Sequence, residues 1–326
     1  MAMSPEYEER PPQGRVPDFF IVGHHKSGTT AMYEMLRRHP AIFMPTMKEP
    51  EFFGRDRGEQ RDPSPTGRAR TFGETRPQTY AAYLALFASA EPRQLVGEAS
   101  PSYLRSPTAA QLIAEVQPEA RIIAILREPV SFLHSLHLQM VRNHVQSEWD
   151  LEKAIAGEGA VREGERAPHY SDRVRYVDQL RRYHEAFSPA QVLVLIYDDF
   201  RADNDGTVRA VLRFLDVDDR VPIQALSANP TVAPRSRALD SWTHGLKAGR
   251  GPVPRALRTT FKALTPPRAR RRAVRRLQRN VVYGSAPPPD ERLASELRRR
   301  FKPEVQALSD YLDRDLVTLW GYDSIG

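Results

Sequence analysis

The chain predicts an α/β fold with a mainly parallel central sheet flanked by helices, and three observations lead there. Short runs rich in apolar and β-branched residues recur at 19–22, 121–126 and 191–196, the composition of strands buried on both faces. Stretches compatible with helix separate them, which is the alternation of a parallel sheet covered on both sides. The first run also leaves through a turn bounded by Gly23 and Gly28, a strand-to-helix connection where ligands of such sheets bind.

In chain order, Phe19-Phe20-Ile21-Val22 opens the sheet, and Thr29 to Arg38, free of glycine and proline, reads as the first helix. From 40 the chain is a loop with one short element before 53, and 54–78 is a polar segment rich in Gly, Pro and Arg. A helix over 79–88, a short strand near 95–97, a helix over 106–116 and a strand over 121–126 follow. Pro129 stands where proline opens a helix, so the next helix spans 130 to about 143. Residues 144–168 carry Gly157, Gly159 and Gly164 among many charges and read as a mobile segment. Helix 171–187, strand 191–196 and helix 204–215 continue the alternation, and 218–290, which holds many of the 28 prolines, departs from it. Connections as long as 54–78 and 144–168 are usually functional or disordered.

Composition narrows the classes. A chain of 326 residues buries about three quarters of the surface its unfolded form exposes, and one α/β domain with insertions is the simpler reading. It holds no run of 18 apolar residues, so no transmembrane helix is expected, and Met1 to Val16 is polar rather than a charged-then-apolar leader. With no cysteine, disulfides and thiolate chemistry are excluded, and the nine histidines show no paired spacing suited to zinc, so no metal is expected. A net charge of +7 points to anionic ligands without separating nucleic acid, lipid surface and nucleotide. Arg268 to Arg279 carries seven arginines, which fits a solvated helix face or weak contact with an anionic membrane surface. No nucleic-acid-binding motif accompanies that charge, and no nucleic-acid partner is expected.

Two stretches carry the chemistry. In Gly23-His-His-Lys-Ser-Gly28-Thr-Thr30 a strand, a tight turn and a helix start converge, so backbone N–H groups and the helix dipole face one anion. The spacing of the two glycines and the hydroxyl of Thr30 match G-x-x-x-x-G-K-[ST], but Thr29 stands in the lysine's place and Lys26 lies inside the loop. A lysine there sits over a group nearer the α-position than β- or γ-phosphates. An ordinary βα turn with a surface lysine is the plain alternative. In the second stretch Arg127 follows the strand 121–126, and Ser135 comes about two turns into the next helix. The two stretches together predict a ligand with two separated phosphates.

These residues resemble the sulfotransferases that use 3′-phosphoadenosine 5′-phosphosulfate (PAPS). Lys26-Ser-Gly-Thr-Thr30 is similar to that family's 5′-phosphosulfate loop, and Arg127 with Ser135 to its 3′-phosphate motif. In order, Lys48-Glu-Pro-Glu-Phe-Phe53, Gly97-Glu-Ala-Ser-Pro-Ser-Tyr103, Val192 to Phe200 and Leu308 to Trp320 resemble further family segments. The resemblance implies a P-loop NTPase-like sulfotransferase fold over 17–326 as one domain, a flexible tail at 1–16, and 218–290 as a cap on the acceptor side or over the cofactor. It implies an enzyme that moves a sulfuryl group from PAPS to a hydroxyl or amine of a small molecule, lipid or glycan, in the cytoplasm where PAPS is made. Cofactor contacts are expected from Lys26, Ser27, Gly28, Thr29, Thr30, Arg127, Ser135 and Tyr197. Lys26 is expected to neutralise the leaving phosphate and Glu49 to act as general base, the role its position has in heparan-type members. The Arg-rich stretch gains a third reading, a flap over the 3′-phosphate. Where heparan-type members often carry a histidine and a lysine, this chain has Glu51 and Ala99, which leaves a polysaccharide acceptor in question.

His24 and His25 are alternative bases, though their place in the loop favours phosphate contact or surface exposure, and Glu98 reads as an acceptor contact or a helix N-terminal carboxylate. Two rivals remain. A P-loop kinase using ATP and Mg²⁺ would want a lysine at position 29 and find metal ligands only in Asp198 and Asp199. A non-catalytic phosphonucleotide-binding protein has no use for Lys26 and Glu49 together.

Overall fold

The computed structural model describes residues 15–54, 76–143, 145–158, 170–224, 232–234, 283–285 and 288–325. The chain divides into two compact units, one made of Met1–Leu133, His169–Asn229 and Arg292–Gly326, the other of His134–Pro168 and Pro230–Glu291.

The first unit is built on a five-stranded, all-parallel sheet. Its strands are β1 (Phe19–Gly23), β2 (Ile42–Phe43), β3 (Leu95–Ala99), β4 (Arg121–Leu126) and β5 (Val192–Ile196), in the order β2-β3-β1-β4-β5. The expected α/β fold with a parallel sheet is therefore the one observed. Every residue of β1 is buried, as its unbroken apolar run requires of a strand covered on both faces. Phe19, Ile21, Ile123 and Ile125 share a core cluster with Met32 and Leu36 of α1 (Thr29–Leu36). The chain runs from β1 outward to β2 and β3 on one side, then crosses to β4 and β5 on the other. That reversal at β1 is the switch point outside which ligands bind in open parallel sheets.

Most expected elements are present with shifted ends. The helix over 79–88 is α2 (Tyr80–Leu84), capped by Thr79 and prolonged by a 3-10 turn. The helix expected over 106–116 is α3 (Ala109–Val116), since a 3-10 turn at Pro101–Arg105 occupies the chain after β3. Pro129 opens α4 (Pro129–Arg142), as predicted. The segment 144–168, read as mobile, holds a short helix in its described part, α5 (Leu151–Ala156), because Asp150 caps it by accepting from the N–H groups of Glu152 and Lys153. Helix 171–187 is a 3-10 turn followed by α6 (Tyr176–Ala186). After β5 an unexpected helix, α7 (Tyr197–Ala202), begins without a gap and leads to α8 (Asn204–Phe214).

In the second unit the strands β6 (Val232–Pro234) and β7 (Tyr283–Ser285) pair antiparallel. The chain returns through α9 (Glu291–Leu312) and α10 (Leu316–Leu319). The tail 1–14, most of 54–78 and of 218–290, and all of 268–279 lie outside the described residues. Among the described residues no helix is long and apolar enough to cross a membrane.

Candidate active site

The loops leaving the carboxyl ends of β1, β2, β4 and β5 carry the candidate residues. After β1, Lys26 and Gly28 both take left-handed backbone, with φ of 70° and 83°. For lysine that conformation costs about 1–2 kcal/mol, so surrounding contacts must hold it. One is a hydrogen bond of 2.8 Å from the Arg127 guanidinium to the Lys26 carbonyl. Gly28 is confined from the other side. A Cβ on it would lie 2.9 Å from the Phe200 ring and 3.1 Å from that of Tyr197, so only glycine lets the loop lie against α7.

Arg127 thus bridges two neighbours. Its guanidinium also stands 4.9 Å from the centre of the Tyr197 ring, a cation–π contact. The Tyr176 hydroxyl donates to the Arg127 carbonyl at 2.8 Å. The next residue, buried Glu128, accepts from the N–H groups of Val130 and Ser131 at the start of α4 and from the Tyr322 hydroxyl. The arginine is therefore held in front of the β1 loop by groups from α6, α4, α7 and the C-terminal segment. Lys26, Ser27, Gly28, Thr29, Arg127 and Tyr197 come together here. Thr30 follows them on α1 with an exposed side chain, while Ser135 is buried on α4 and belongs to the second unit.

Whether these residues suit a phosphosulfate nucleotide is tested by two features. The Ser27 hydroxyl is buried and has no hydrogen-bond partner. No side chain caps the start of α1 at Gly28. A buried orphan donor beside an uncapped helix start is what an anionic group would satisfy, so the residues fit.

The loop 48–54, which carries Glu49, follows β2. Glu49 and Glu51 have φ of 60° and 53°, again left-handed. The remaining non-glycine residues with positive φ among those described, Asp216 and Asp313, directly follow helices, where such backbone is ordinary. Among the described residues, backbone strain of the unusual kind is thus confined to these two loops. The Glu49 carboxylate is half-buried and pairs with the Lys48 ammonium at 2.7 Å. Glu51 pairs with Arg76. The loop is tied to the chain after β3 by the Glu49 N–H on the Ala99 carbonyl, the Glu51 N–H on Ser100 Oγ and the Phe53 N–H on the Tyr103 hydroxyl. Phe52 and Phe53 pack with Tyr80, Tyr83 and Tyr103 into an aromatic wall.

Two expectations are corrected, and the kinase rival's candidate ligands are accounted for. His24 is neither on the surface nor placed as a base: it is buried between the rings of Phe132 and Tyr176, and its Nε2 is 2.9 Å from Gln179 Oε1. Burial pulls its pKa down to about 3, so it is neutral. Glu98 is no helix N-terminal carboxylate but a fully buried strand residue under three hydroxyls. Asp198 and Asp199 are engaged as cross-links: Asp199 takes a bidentate pair from Arg314 at 2.6 and 2.8 Å, and Asp198 accepts from Arg201 and the Trp320 indole. Among the described residues no group of three or more histidine and carboxylate side chains is placed to hold a metal ion. No sequence signal singles out Tyr176 or Gln179.

A parallel α/β sheet with a glycine-bounded loop at its switch point, an arginine on the neighbouring strand and a carboxylate loop beside it sets the class of fold in which the site lies. A family model described as the sulfotransferase family matches residues 17–220, and the chain belongs to that family. Its relatives include the membrane-associated sulfotransferase kil1 of Dictyostelium discoideum, 29% identical over 115 residues, covering 35% of this chain and 21% of that protein. Carbohydrate sulfotransferase 15 of Rattus norvegicus is 26% identical over 254 residues, covering 62% of this chain and 44% of that protein. The chain therefore spans less than half the length of these relatives. A crystal structure of a sulfotransferase from Alicyclobacillus acidocaldarius shares the fold, with a TM-score of 0.61 and 24% identity, covering 94% of this chain and 99% of that one.

Proposed function

We propose that this chain transfers a sulfuryl group from PAPS to a hydroxyl or amine of an acceptor that is a small molecule, lipid or glycan. The observation that carries the reading is the linkage of Lys26, Arg127 and Tyr197 around the uncapped start of α1. When bound, PAPS supplies the activated sulfuryl group and a phosphate leaving group.

The protein's part is electrostatic and positional. Lys26 brings one positive charge to the loop where charge builds on the leaving oxygen, and Ser27, Gly28, Thr29 and Thr30 offer hydroxyls and N–H groups to the 5′ side. Arg127, with Ser135, takes the 3′-phosphate, the stacked Tyr197 keeping the guanidinium's plane fixed. Glu49 accepts the acceptor's proton, its carboxylate presented by a loop whose backbone is fixed at three N–H groups. Lys48 pairs with that carboxylate at 2.7 Å. A cytoplasmic location belongs to the same proposal, since PAPS is made there.

The test is a calorimetric titration with adenosine 3′,5′-bisphosphate beside ATP-Mg. The bisphosphate is expected to bind and raise the melting temperature with concentration, and ATP-Mg to do neither. Preference for ATP-Mg would overturn the reading. A mass-spectrometric search for products 80 Da heavier, the mass of about one SO₃ added, then identifies the acceptor.

A further inference from the structure

Glu98 is wholly buried on β3, paired across the sheet with Phe20 of β1. Three hydroxyls surround its carboxylate. Ser100 donates to Oε1 at 2.5 Å, Tyr83 to Oε2 at 2.5 Å, and Tyr103 to Oε2 at 3.3 Å. Two of the same hydroxyls also accept from the Glu49 loop: Ser100 Oγ from the Glu51 N–H at 3.1 Å, and the Tyr103 oxygen from the Phe53 N–H at 3.2 Å. A hydroxyl has one hydrogen to give. While it points at the carboxylate, its lone pairs face the loop.

We propose that Glu98 is a positioning residue for the Glu49 loop: as a carboxylate it fixes the hydrogens of Ser100 and Tyr103, and so aims their lone pairs at the backbone of Glu51 and Phe53. The left-handed Glu49 and Glu51 need such restraint, since neither residue type favours that backbone. If Glu98 is neutral, one of its oxygens becomes a donor. The hydroxyl it faces must then turn its own hydrogen away, and for Ser100 or Tyr103 that hydrogen meets an N–H of the loop. Donor against donor replaces a bond.

The network is poised. Burial raises the Glu98 pKa to about 7 against the three hydroxyls that favour its ionised form, and Glu51 from the loop adds to the rise. Tyr183 of α6 is the further titratable group facing it, and its own pKa is raised by burial and by Glu98. Ionised Glu98, and with it the ordered loop, is therefore expected above about pH 7 and lost as the pH falls through that value.

The inference uses the assignment of Glu49 as base only for what the loop delivers, so the test reads the loop itself. Amide hydrogen exchange resolved at residues 49–53 is measured on the whole protein at pH 6 and pH 8, each rate divided by the intrinsic rate for that pH. The parent is expected to show about tenfold greater protection at pH 8. Glu98→Gln should be equally unprotected at both, with affinity for adenosine 3′,5′-bisphosphate changed less than about twofold. Protection at 49–53 unchanged by Glu98→Gln, or a parent whose protection is the same at both pH values, would overturn the proposal. Should Glu98→Gln fail to fold, Tyr103→Phe removes the acceptor of Phe53 and leaves Ser100 and Tyr83 on the carboxylate. Exchange should then rise at Phe53 and keep its pH dependence at Glu51, and unchanged exchange at Phe53 counts against the inference. Full turnover in Glu49→Gln beside these shifts would remove the base assignment and leave the positioning role standing.

Discussion

The loop after β1 and the loop at 48–54 both hold non-glycine residues in left-handed backbone, yet they are restrained by different means. Lys26 is held through its own carbonyl, which takes the Arg127 guanidinium, and by aromatic rings against Gly28. None of those contacts uses the lysine side chain. The Glu49 loop is held by N–H bonds to Ala99, Ser100 and Tyr103, two of which depend on a buried carboxylate underneath. The contrast teaches that the backbone at position 26 is anchored through its own carbonyl, whereas the Glu49 loop leans on groups beneath it, Ser100, Tyr103 and Glu98.

Substitutions at the reacting side chains of the two loops should break this comparison most sharply. Glu49→Gln keeps size and leaves all three N–H bonds of its loop in place. It is expected to lose about 10²- to 10⁴-fold in kcat with nucleotide affinity nearly unchanged, the range for a general base. A loss below about fivefold in steady-state assays would move the base elsewhere. Lys26→Ala is next. Loss of one transition-state charge contact should cost about 3 kcal/mol, a fall of at least ~100-fold, while the melting temperature holds because the carbonyl at 26 still receives Arg127. A large fall in melting temperature would show that the two loops are not restrained differently after all.

The sequence makes the cofactor side legible because its signals are local. Four apolar residues, two glycines and a proline-free helix specify the β1 loop within twenty residues, and Arg127 is found by the same strand-end logic. The buried polar residues are opaque for the opposite reason. Glu98 takes its meaning from hydroxyls at 83, 100 and 103, and His24 from rings at 132 and 176 that reach it from α4 and α6. No periodicity announces such meetings. The helix α7 was missed because β5 enters it without a turn. Asp198 and Asp199, carboxylates in the first turn of a helix where the dipole favours them, were the available signal. In the sequence they are only the candidates a kinase rival would need for Mg²⁺; in the fold Arg314 and Trp320, more than a hundred residues on, engage them.

A smaller effect separates the two ends of the nucleotide. Arg127→Ala removes a charge-assisted contact, so affinity for adenosine 3′,5′-bisphosphate should fall about 10- to 100-fold, against a few-fold for adenosine 5′-monophosphate. The few-fold loss is expected because the arginine also supports the Lys26 carbonyl. Ser135→Ala should follow the same pattern more weakly. Equal losses for both nucleotides in paired calorimetric titrations would leave the arginine as a support for the loop and nothing more.

The least effect, and the finest probe of how the cofactor loop is restrained, is expected from Tyr197. Its ring touches both partners of the linkage, standing under the Arg127 guanidinium at 4.9 Å and against Gly28. Tyr197→Phe keeps the ring and should leave bisphosphate affinity within about twofold, since a cation–π contact depends on the face and not on the hydroxyl. Tyr197→Leu keeps an apolar group beside Gly28 but removes the π face. A half-buried contact of this kind contributes about 0.5–2 kcal/mol, so affinity should drop about 2- to 30-fold. The pair of variants distinguishes two ways the tyrosine can act. If Phe weakens binding as much as Leu, the hydroxyl contacts the nucleotide directly; if neither does, the arginine is held by the Lys26 carbonyl alone, and the aromatic support belongs to packing of the loop.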